Sequence, residues 1–390
     1  MLYNIKVIFK KLIIPIRKWQ KSRKKYAVIY NVNGSGGKSQ KRALLIYLTA
    51  PFELKNSDRH FLYHQNFRQC KQIAELLGKM GYIVDVADIA DQSILSTEEY
   101  DFVISHNIEN ELTSIKYHAG AKRVYLGTGL NHTVHNNNLQ KRLDNFVRNK
   151  KKIPEIEWHT ESMAFLKHVD AIIAFGNDFT ANAWKESSSV PVYTFNNYGF
   201  FPTEKRNDEY TAVSKNFLFF SSRQQLLKGL DLLLDVFSKH PQLHLYVCGP
   251  FRDEKIFCDC YKKELFHLPN IHPIGWVDLF SWRYYDVIKK CAYVVLPSCS
   301  EASTGSIVQC MCDGLIPVVT HECGIDTEDF GITFENDDIR TINETISKLS
   351  MMSNDWCISH SNRTKEVCRD KYTSKRFEER WYEILTDLKI

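Results

Sequence analysis

The stretch Leu296-Pro-Ser-Cys-Ser-Glu-Ala-Ser-Thr-Gly-Ser-Ile-Val-Gln309 is the most informative part of this sequence. It continues from an apolar run, Ala292-Tyr-Val-Val-Leu296, whose residue types are typical of a buried strand. Glu301 follows that strand directly. The next residues are small and can start a helix whose backbone N–H groups face an anion: Ser303, Thr304, Gly305 and Ser306. This turn therefore combines a strand end, a carboxylate and a helix N-terminus that can bind an anionic, hydroxyl-bearing ligand.

A second stretch, Phe220-Ser-Ser-Arg-Gln-Gln-Leu-Leu-Lys-Gly229, carries two cations behind another apolar run. Arg223 and Lys228 lie between a predicted strand, 217–220, and a predicted helix, 229–239. Fixed cations at the end of a strand can bind and stabilise an anionic group such as a diphosphate. Solvated surface charges are the alternative interpretation, but the carboxyl ends of parallel strands are where open sheets bind ligands.

Both stretches resemble motifs of the family-4-type glycosyltransferases, which have the GT-B fold. Glu301 and Gln309 stand at the spacing of the Glu-x7-Glu signature of that family, with Gln309 in place of the second Glu. Arg223 and Lys228 match its Gly-Arg-x4-Lys-Gly element, with Ser222 in place of the first Gly. The resemblance implies that both cations bind the donor diphosphate and that Glu301 binds hydroxyl groups of the donor sugar.

The same resemblance implies donor contacts at the helix that follows Glu301. Backbone N–H groups around Ser303, Thr304 and Gly305 would approach the sugar and the phosphates. Gln309 would bind the ribose hydroxyls, because a glutamine still accepts and donates hydrogen bonds although it has no charge. The alternative for Gln309 is a polar helix residue that is paired within the protein.

The nucleotide base has its own candidate site. The stretch Asn270-Ile-His-Pro-Ile-Gly-Trp-Val277 resembles the strand and turn whose backbone holds the base in this family. Trp276 and Val277 are therefore donor-binding candidates. Trp276 has an alternative interpretation as a core residue between the sheet and a helix.

Candidates for the acceptor side come from the first half of the chain. His132 stands in the kind of loop where the family has a histidine that contacts the transferred sugar, and Asn131 precedes it. His106 ends a predicted strand, 101–105, at its carboxyl edge. The alternatives are a surface-loop histidine for His132 and a structural histidine for His106.

Two series of short apolar strands alternate with helical patterns and predict an α/β chain with two Rossmann-like, doubly wound domains. The first series is predicted at residues 43–48, 83–87, 101–105, 123–126, 171–174 and 192–195. The second series is predicted at residues 217–220, 243–247, 271–275, 293–296 and 318–320. Two such domains facing each other across a cleft make the GT-B architecture that the resemblance implies.

Four segments follow from this pattern. Residues 1–42 are predicted as a basic amphipathic segment and linker, 43–205 as the acceptor domain and 206–365 as the donor domain, with the polar stretch 202–209 as the linker candidate. Residues 366–390 contain an amphipathic helix, predicted at 374–389, whose apolar face holds Phe377, Trp381, Ile384 and Leu388. The resemblance implies that this helix crosses back onto the N-terminal domain.

Positive charge is concentrated at the start of the chain. The 390 residues have a formal net charge of +5, and every charged side chain among residues 1–52 is a lysine or arginine. Apolar residues recur there near helical spacing, so residues 1–25 can lie on an anionic membrane surface. A basic helix packed on its own protein or frayed in solvent is the alternative. Lysines interrupt the apolar run too often for a membrane span or a signal peptide, and nothing resembles a nucleic-acid recognition module.

Composition favours a reducing, cytoplasmic compartment. A chain with 44% hydrophobic and 25% charged residues can form two globular domains. Its eleven cysteines include no Cys-x2-Cys pair, which favours buried, reduced thiols over zinc ligands or disulfides. There is also no Asp-x-Asp pair to hold a divalent cation on a diphosphate. We therefore expect metal-independent chemistry, with no cofactor besides the nucleotide-sugar substrate.

Together these features predict a glycosyltransferase that moves a hexose-type sugar from a nucleoside diphosphate sugar to a glycan or lipid-linked acceptor. The resemblance implies retention of anomeric configuration. The predicted location is cytoplasmic, with peripheral attachment to the inner face of a membrane. A catalytically silent sugar-nucleotide-binding module and a GT-B epimerase are the alternatives, and binding without turnover would indicate the silent module.

Overall fold

A computed structural model describes residues 28–34, 41–90, 96–106, 115–160, 163–201 and 212–390. The predicted membrane-binding segment 1–25 and the linker candidate 202–209 lie outside these residues. The chain divides into two compact units, Met1–Tyr125 and Leu126–Ile390. The four segment limits predicted from the sequence stay predictions.

The first sheet is built from buried apolar strands. Its strands are β1 (Arg42–Tyr47), β2 (Ile83–Asp88), β3 (Glu99–Ser105), β4 (Lys116–Gly127), β5 (Ala171–Phe175) and β6 (Val192–Phe195). They follow the order β2-β1-β3-β4-β5-β6, and β1 pairs in parallel with both of its neighbours. Nearly continuous apolar runs are what a parallel sheet covered on both faces requires. All six predicted strands of the first series are confirmed.

Strand β4 is longer than the predicted 123–126. Its first part, residues 116–122, carries mostly polar and exposed side chains, and Gly120 has a φ of 82°. The pairing of β3 with β4 shifts register between Tyr100 and Phe102. The hydrophobic pattern marks only the buried end of a strand, so it missed this exposed extension.

Five helices connect the strands of the first sheet in the described residues. They are α1 (Ala50–Glu53), α2 (Arg59–Tyr63), α3 (Gln65–Lys79), α4 (His132–Lys150) and α5 (Asp178–Lys185). A short 3-10 helix, Met163–His168, precedes β5. Helices α3 and α5 agree with the predicted helices at 66–80 and 178–186.

Helix α4 was not predicted, and His132 is its first residue rather than a loop residue. The Asn131 side chain caps it by accepting hydrogen bonds from the N–H groups of Thr133 at 2.9 Å and Val134 at 3.4 Å. Only a narrow stripe, which includes Leu139 and Phe146, is buried and apolar. Consecutive asparagines disfavour a helix in isolation, so the cap and tertiary contacts decide the conformation.

The second sheet is also parallel and has six strands. They are β7 (Val213–Phe220), β8 (His244–Cys248), β9 (Ile271–Gly275), β10 (Cys291–Leu296), β11 (Ile316–Val319) and β12 (Ile332–Thr333). The strand order is β12-β11-β10-β7-β8-β9. The sequence predicted the first five, and β12 is too short to give a pattern. Two six-stranded α/β sheets confirm the predicted fold class.

Eight helices accompany the second sheet in the part of the chain that the structure describes. They are α6 (Leu230–Phe237), α7 (Lys255–Cys260), α8 (Lys262–His267), α9 (Trp282–Lys290), α10 (Gly305–Cys312), α11 (Ile339–Leu349), α12 (Asn354–Lys371) and α13 (Ser374–Asp387). The single helix predicted at 256–266 is divided in two at Tyr261. That side chain is buried, and its hydroxyl donates a hydrogen bond to Asp235 at 3.3 Å.

The last helix, α13, packs against β6 of the first sheet. Its buried face holds Phe377 and Trp381, as predicted, and both rings contact the ring of Phe195. On the same side, Arg380 Nε donates to the carbonyl oxygen of Thr194 at 3.0 Å. The chain therefore returns to the first sheet after completing the second.

All eleven cysteines are free thiols, and most of them are buried. Burial raises the pKa of Cys70 and Cys323 to about 12, so these thiols are poor nucleophiles. Among the described residues, no helix combines the length and the apolar character needed to span a bilayer.

Candidate functional site

The two loops that carry the predicted donor residues run side by side. The cation loop (residues 221–229) follows β7, and the carboxylate loop (residues 297–304) follows β10, the neighbouring strand. The carbonyl oxygen of Leu227 accepts hydrogen bonds from the N–H of Cys299 at 2.9 Å and from the hydroxyl of Ser298 at 3.0 Å. These bonds hold one loop against the other.

Gly229 allows the two loops to approach. Its φ is 78°, and a Cβ atom at this position would collide with the backbone of Pro297. Only glycine avoids both the backbone strain and the collision. Gly229 is the N-cap of α6, and its neighbour Lys228 is consequently held beside the carboxylate loop.

Lys228 and Glu301 meet where the two loops touch. The ammonium and the carboxylate form an ion pair, and each side chain is only 12% exposed. Ser298 Oγ lies 3.1 Å from Glu301 Oε1, so its one hydrogen is shared between this carboxylate and the Leu227 carbonyl. An ammonium donates hydrogen bonds to phosphate oxygens, and a carboxylate accepts them from hydroxyls. One small region therefore offers the two kinds of group that a sugar diphosphate needs.

Arg223 lies on the same loop but in a different environment. Ser222 and Arg223 are exposed, and Arg223 has no hydrogen-bonding or ion-pair partner among the described residues. The next residue, Gln224, has a φ of 68°, which is uncommon for a residue other than glycine. The structure thus joins Lys228 to Glu301 and leaves the Arg223 guanidinium in solvent.

Glu254, which the sequence did not single out, holds this unusual turn. Its buried carboxylate accepts hydrogen bonds from the N–H groups of Gln224 at 2.6 Å and Gln225 at 2.9 Å. Burial raises the pKa of Glu254, while these two N–H groups act in the opposite direction. The carboxylate satisfies two backbone donors that the turn leaves without a helical partner.

We expect Glu254→Ala to destabilise the protein by about 2–3 kcal/mol, because two buried N–H groups lose a charged acceptor. Urea denaturation at pH 7 measures this loss. Glu254→Gln keeps one acceptor oxygen and is expected to lose about half as much. The exposed neighbour Asp253 provides the control, since Asp253→Ala removes an acid without touching the turn. Equal stability of the Glu254→Ala and Asp253→Ala variants would contradict the assigned role.

The start of α10 is held by contacts within the chain. Ser303 Oγ accepts from the N–H of Asn197 at 3.0 Å, and the Ser303 carbonyl accepts from the Asn197 amide. The N–H and the hydroxyl of Thr304 both donate to the carbonyl of Cys323 at 3.3 Å. The Thr304 N–H is therefore occupied within the protein, while Gly305, the first helical residue, is partly exposed.

Gln309 is paired at both ends of its amide. Its Oε1 accepts from the N–H of Phe200 at 2.8 Å, and its Nε2 donates to the Phe200 carbonyl at 3.0 Å and to Asp313 at 3.1 Å. This geometry matches the alternative interpretation of a polar helix residue paired within the protein. The ribose-binding role of Gln309 stays a prediction.

Helix α4 carries two histidines, His132 and His135, and the sequence singled out only His132. The ring of His132 stacks on His159 with centroids 4.1 Å apart, while His135 Nδ1 is hydrogen-bonded to Ser300 Oγ at 2.8 Å. Ser300 is the neighbour of Glu301. Helical spacing places His132 and His135 on adjacent parts of one helix surface, so recognising α4 would have revealed the second histidine.

Burial and the neighbouring His159 lower the pKa of His135 to about 4, with His132 and Lys228 acting in the same direction. An unfolded chain protonates this histidine near pH 6.5. The unfolded state therefore binds more protons between pH 6.5 and 4, and stability falls as the pH falls through that window. We expect His135→Gln to flatten this dependence. Urea denaturation at pH 7 and pH 5 tests it, and parallel losses in the variant and the parent protein would contradict it.

The base-site candidates differ in exposure. Trp276 is 63% exposed, whereas Val277 is buried. The alternative of Trp276 as a core residue is therefore wrong. Gly275, which precedes it, has a φ of 86° and turns the chain at the end of β9. The exposed Trp276 ring has room for a flat ligand beside it. The predicted roles of Trp276 and Val277 in donor binding stay predictions.

His106 lies at the carboxyl end of β3 in the first unit. Its ring contacts the rings of Tyr47, with centroids 6.4 Å apart, and Tyr125, with centroids 6.1 Å apart. Tyr47 and Tyr125 are buried. This aromatic packing fits the structural alternative, and an acceptor-side role of His106 stays a prediction.

Within the described part of the chain, no group of three histidine, cysteine, aspartate or glutamate side chains is arranged to hold a metal ion. Metal-independent chemistry stays a prediction.

Comparison with known proteins identifies the second sheet's domain. Residues 214–351 match the family model described as Glycosyl transferases group 1. This match includes both loops and all of α6 to α10. No curated protein sequence matches the chain.

Solved structures share the fold at low sequence identity. A mutant of S. aureus TarM, in complex with Fondaparinux, alpha-GlcNAc-glycerol and UDP, is 14% identical over 72% of this chain and 54% of its own, with a TM-score of 0.50. This chain therefore spans about half the length of TarM. Sucrose-phosphate synthase from Thermosynechococcus elongatus is 12% identical over 90% of this chain and 99% of its own, with a TM-score of 0.58.

HepE from Anabaena, in complex with UDP and glucose, is 11% identical over 89% of this chain and 100% of its own, with a TM-score of 0.54. At such low identities, the likeness to these solved structures shows the fold alone. The predicted resemblance is confirmed over residues 214–351, which match the Glycosyl transferases group 1 family model, and the chain has the two-domain GT-B fold.

Proposed function

We propose that the chain transfers a hexose-type sugar from a nucleoside diphosphate sugar to a glycan or lipid-linked acceptor. The ion pair of Lys228 and Glu301 is the observation that carries this proposal. When a donor binds, the ion pair separates. The Lys228 ammonium then binds the diphosphate, and the Glu301 carboxylate binds sugar hydroxyls. The family match over residues 214–351 supports the same reaction class.

In the proposed reaction, the bond between the anomeric carbon and the phosphate oxygen breaks, and a bond from that carbon to an acceptor oxygen forms. The departing nucleoside diphosphate keeps the bonding electron pair, and its phosphate oxygen takes the proton of the acceptor hydroxyl. Attack on the face that the leaving group vacates retains the anomeric configuration. Lys228 and Arg223 supply the positive charge for the departing diphosphate, so no metal ion is required.

Uridine diphosphate sugars are the first donors to test, because the TarM and HepE structures contain UDP. The full chain is incubated with UDP-, GDP- and ADP-sugars and mixed glycan and lipid-linked acceptors. Release of the nucleoside diphosphate together with a glycosylated product supports the proposal. Turnover that persists in EDTA supports metal independence, and proton NMR of the product reports the anomeric configuration. Absence of turnover with every donor contradicts the proposal.

A catalytically silent sugar-nucleotide-binding module is the second candidate. The observation that favours it is the pairing of Gln309 with the backbone of Phe200. Calorimetric titration with the same donors separates the two candidates, because a silent module binds without releasing product. A GT-B epimerase would instead release an epimeric sugar in the absence of any acceptor.

We also propose cytoplasmic location with peripheral attachment to the inner face of a membrane through residues 1–25, which are rich in lysine and arginine. The full chain should sediment with vesicles that contain anionic lipids and not with neutral vesicles. A variant that lacks residues 1–25 should stay in the supernatant. Equal sedimentation of both proteins would contradict the attachment and leave the transferase proposal intact.

A further inference from the structure

One face of α4 is hydrogen-bonded along the carboxylate loop. His135 Nδ1 pairs with Ser300 Oγ at 2.8 Å, Asn138 Nδ2 donates to the Cys299 carbonyl at 3.0 Å, and Arg142 Nη2 donates to the Pro297 carbonyl at 3.1 Å. The three side chains are spaced three and four residues apart, so they project from the same side of the helix. We call this set, His135, Asn138 and Arg142, the α4 contact face.

Arg142 extends this contact to the cation loop. Its Nη1 reaches the carbonyl of Leu226 at 3.5 Å, while its Nη2 bonds Pro297 in the carboxylate loop. Leu226 and Pro297 belong to the two loops that carry Lys228 and Glu301. A single guanidinium therefore spans the junction that determines how far apart those two side chains lie.

The Arg142 charge is balanced by carboxylates of the same unit. The side chain is 3% exposed, with Asp231 at 3.5 Å and Asp337 at 2.8 Å. Asp231 lies in the first turn of α6, directly after the cation loop, whereas Asp337 is half exposed. A buried guanidinium with two acidic partners and two carbonyl acceptors is held in one orientation, because its planar donors have fixed directions.

We propose that the α4 contact face, and Arg142 above all, positions Lys228 and Glu301 for catalysis. This inference rests on the proposed transferase function. Arg142 bonds the backbone of both loops and acts through the two side chains, so it is a positioning residue. Small displacements of groups that stabilise developing charge lower the turnover rate more than they weaken substrate binding.

The test compares variants that differ in what they remove. Asn138→Ala deletes one bond to the carboxylate loop, and Arg142→Lys keeps the buried charge but cannot donate to both loops in the guanidinium geometry. Asn137→Ala, on the exposed side of the same helix, is the matched control.

We expect Arg142→Lys to lower kcat by about 10–100-fold and Asn138→Ala by about 3–10-fold, with donor KM changed less than about threefold. Asn137→Ala should stay within about twofold of the parent protein. If Arg142→Lys does not fold, the proposal is tested by comparing kcat of Asn138→Ala with kcat of Asn137→Ala. Values of kcat within twofold of the parent for Asn138→Ala and for a folded Arg142→Lys would overturn the proposal.

Hydrogen exchange of the full chain provides a readout that needs no turnover. Amides of residues 222–229 and 298–304 should exchange faster in Asn138→Ala and Arg142→Lys than in Asn137→Ala, while amides of β8 and β9 stay unchanged. Unchanged exchange in both loops refutes the positioning role even if the enzyme is active. A parent protein without turnover refutes the transferase function, and faster loop exchange would still support the contact face.

Discussion

Replacing Lys228 by alanine should lower kcat/KM for the sugar donor by about 10²–10³-fold, because the departing diphosphate loses a fixed cation in a partly buried site. Lys228 is 12% exposed and is held by Gly229 and the Leu227 bonds, so its ammonium is positioned before any ligand arrives. Preorganised charge of this kind stabilises a transition state without a further ordering cost. Initial rates over a range of donor concentrations measure the effect.

The effect of Lys228→Ala on catalysis must be separated from its effect on stability, because this variant also leaves the Glu301 carboxylate without its ion-pair partner. The double variant Lys228→Ala with Glu301→Gln removes that unpaired charge. We expect the double variant to recover most of the stability lost in Lys228→Ala while remaining as inactive. Lys263→Ala, an exposed lysine of α8, is the matched control. A folded Lys228→Ala protein with kcat/KM near that of the control would remove Lys228 from the proposed mechanism.

The parallel strands could be predicted because their residues are buried on both faces. β10 reads Cys-Ala-Tyr-Val-Val-Leu and β5 reads Ala-Ile-Ile-Ala-Phe, and every residue of both strands is buried. A continuous apolar run of this length between polar turns has few alternatives to a central strand. The two-sheet fold follows from repeating such runs with helices between them.

Helix α4 could not be predicted by the same means, because its contacts with the carboxylate loop are polar and its buried apolar stripe is narrow. His135, Asn138 and Arg142 face the carboxylate loop, whereas hydrophobic periodicity detects only faces that pack on an apolar core. A helix whose buried face mixes His135 and Arg142 with a narrow apolar stripe resembles a surface segment in the sequence. The same reasoning explains why Arg142 was not a candidate: solvated arginines are the usual case.

The sequence marked the residues of the candidate site, but it did not predict which of them are hydrogen-bonded to one another. The spacing of Arg223 and Lys228 and the position of Glu301 after β10 were enough to mark both loops. The bonds between the loops, from Cys299 and Ser298 to Leu227, connect residues that are far apart in the chain. The pairing of Gln309 with the Phe200 backbone also depends on which segments meet, and a single sequence does not encode that in local spacing.

The last helix should contribute a large share of the stability of the second unit through Trp381. The side chain is fully buried, its ring contacts Phe195 on β6 with centroids 5.1 Å apart, and Phe377 packs beside it. We expect Trp381→Ala to cost about 3–5 kcal/mol of unfolding free energy, because a large cavity would remain between α13 and the first sheet. Urea denaturation followed by circular dichroism measures this loss.

Two further variants test how the buried volume of Trp381 contributes to stability: Trp381→Phe, and Tyr382→Ala as the control. The indole Nε1 of Trp381 is buried and has no hydrogen-bond partner among the described residues. Removing this nitrogen therefore breaks no hydrogen bond. Trp381→Phe should therefore cost only about 1–2 kcal/mol, for the missing ring volume. Tyr382→Ala changes the next residue, which is 54% exposed, and should stay within about 0.5 kcal/mol of the parent protein. If Trp381→Ala and Tyr382→Ala were equally stable, α13 would not be anchored through its tryptophan, and the return of the chain to the first sheet would need another source of stability.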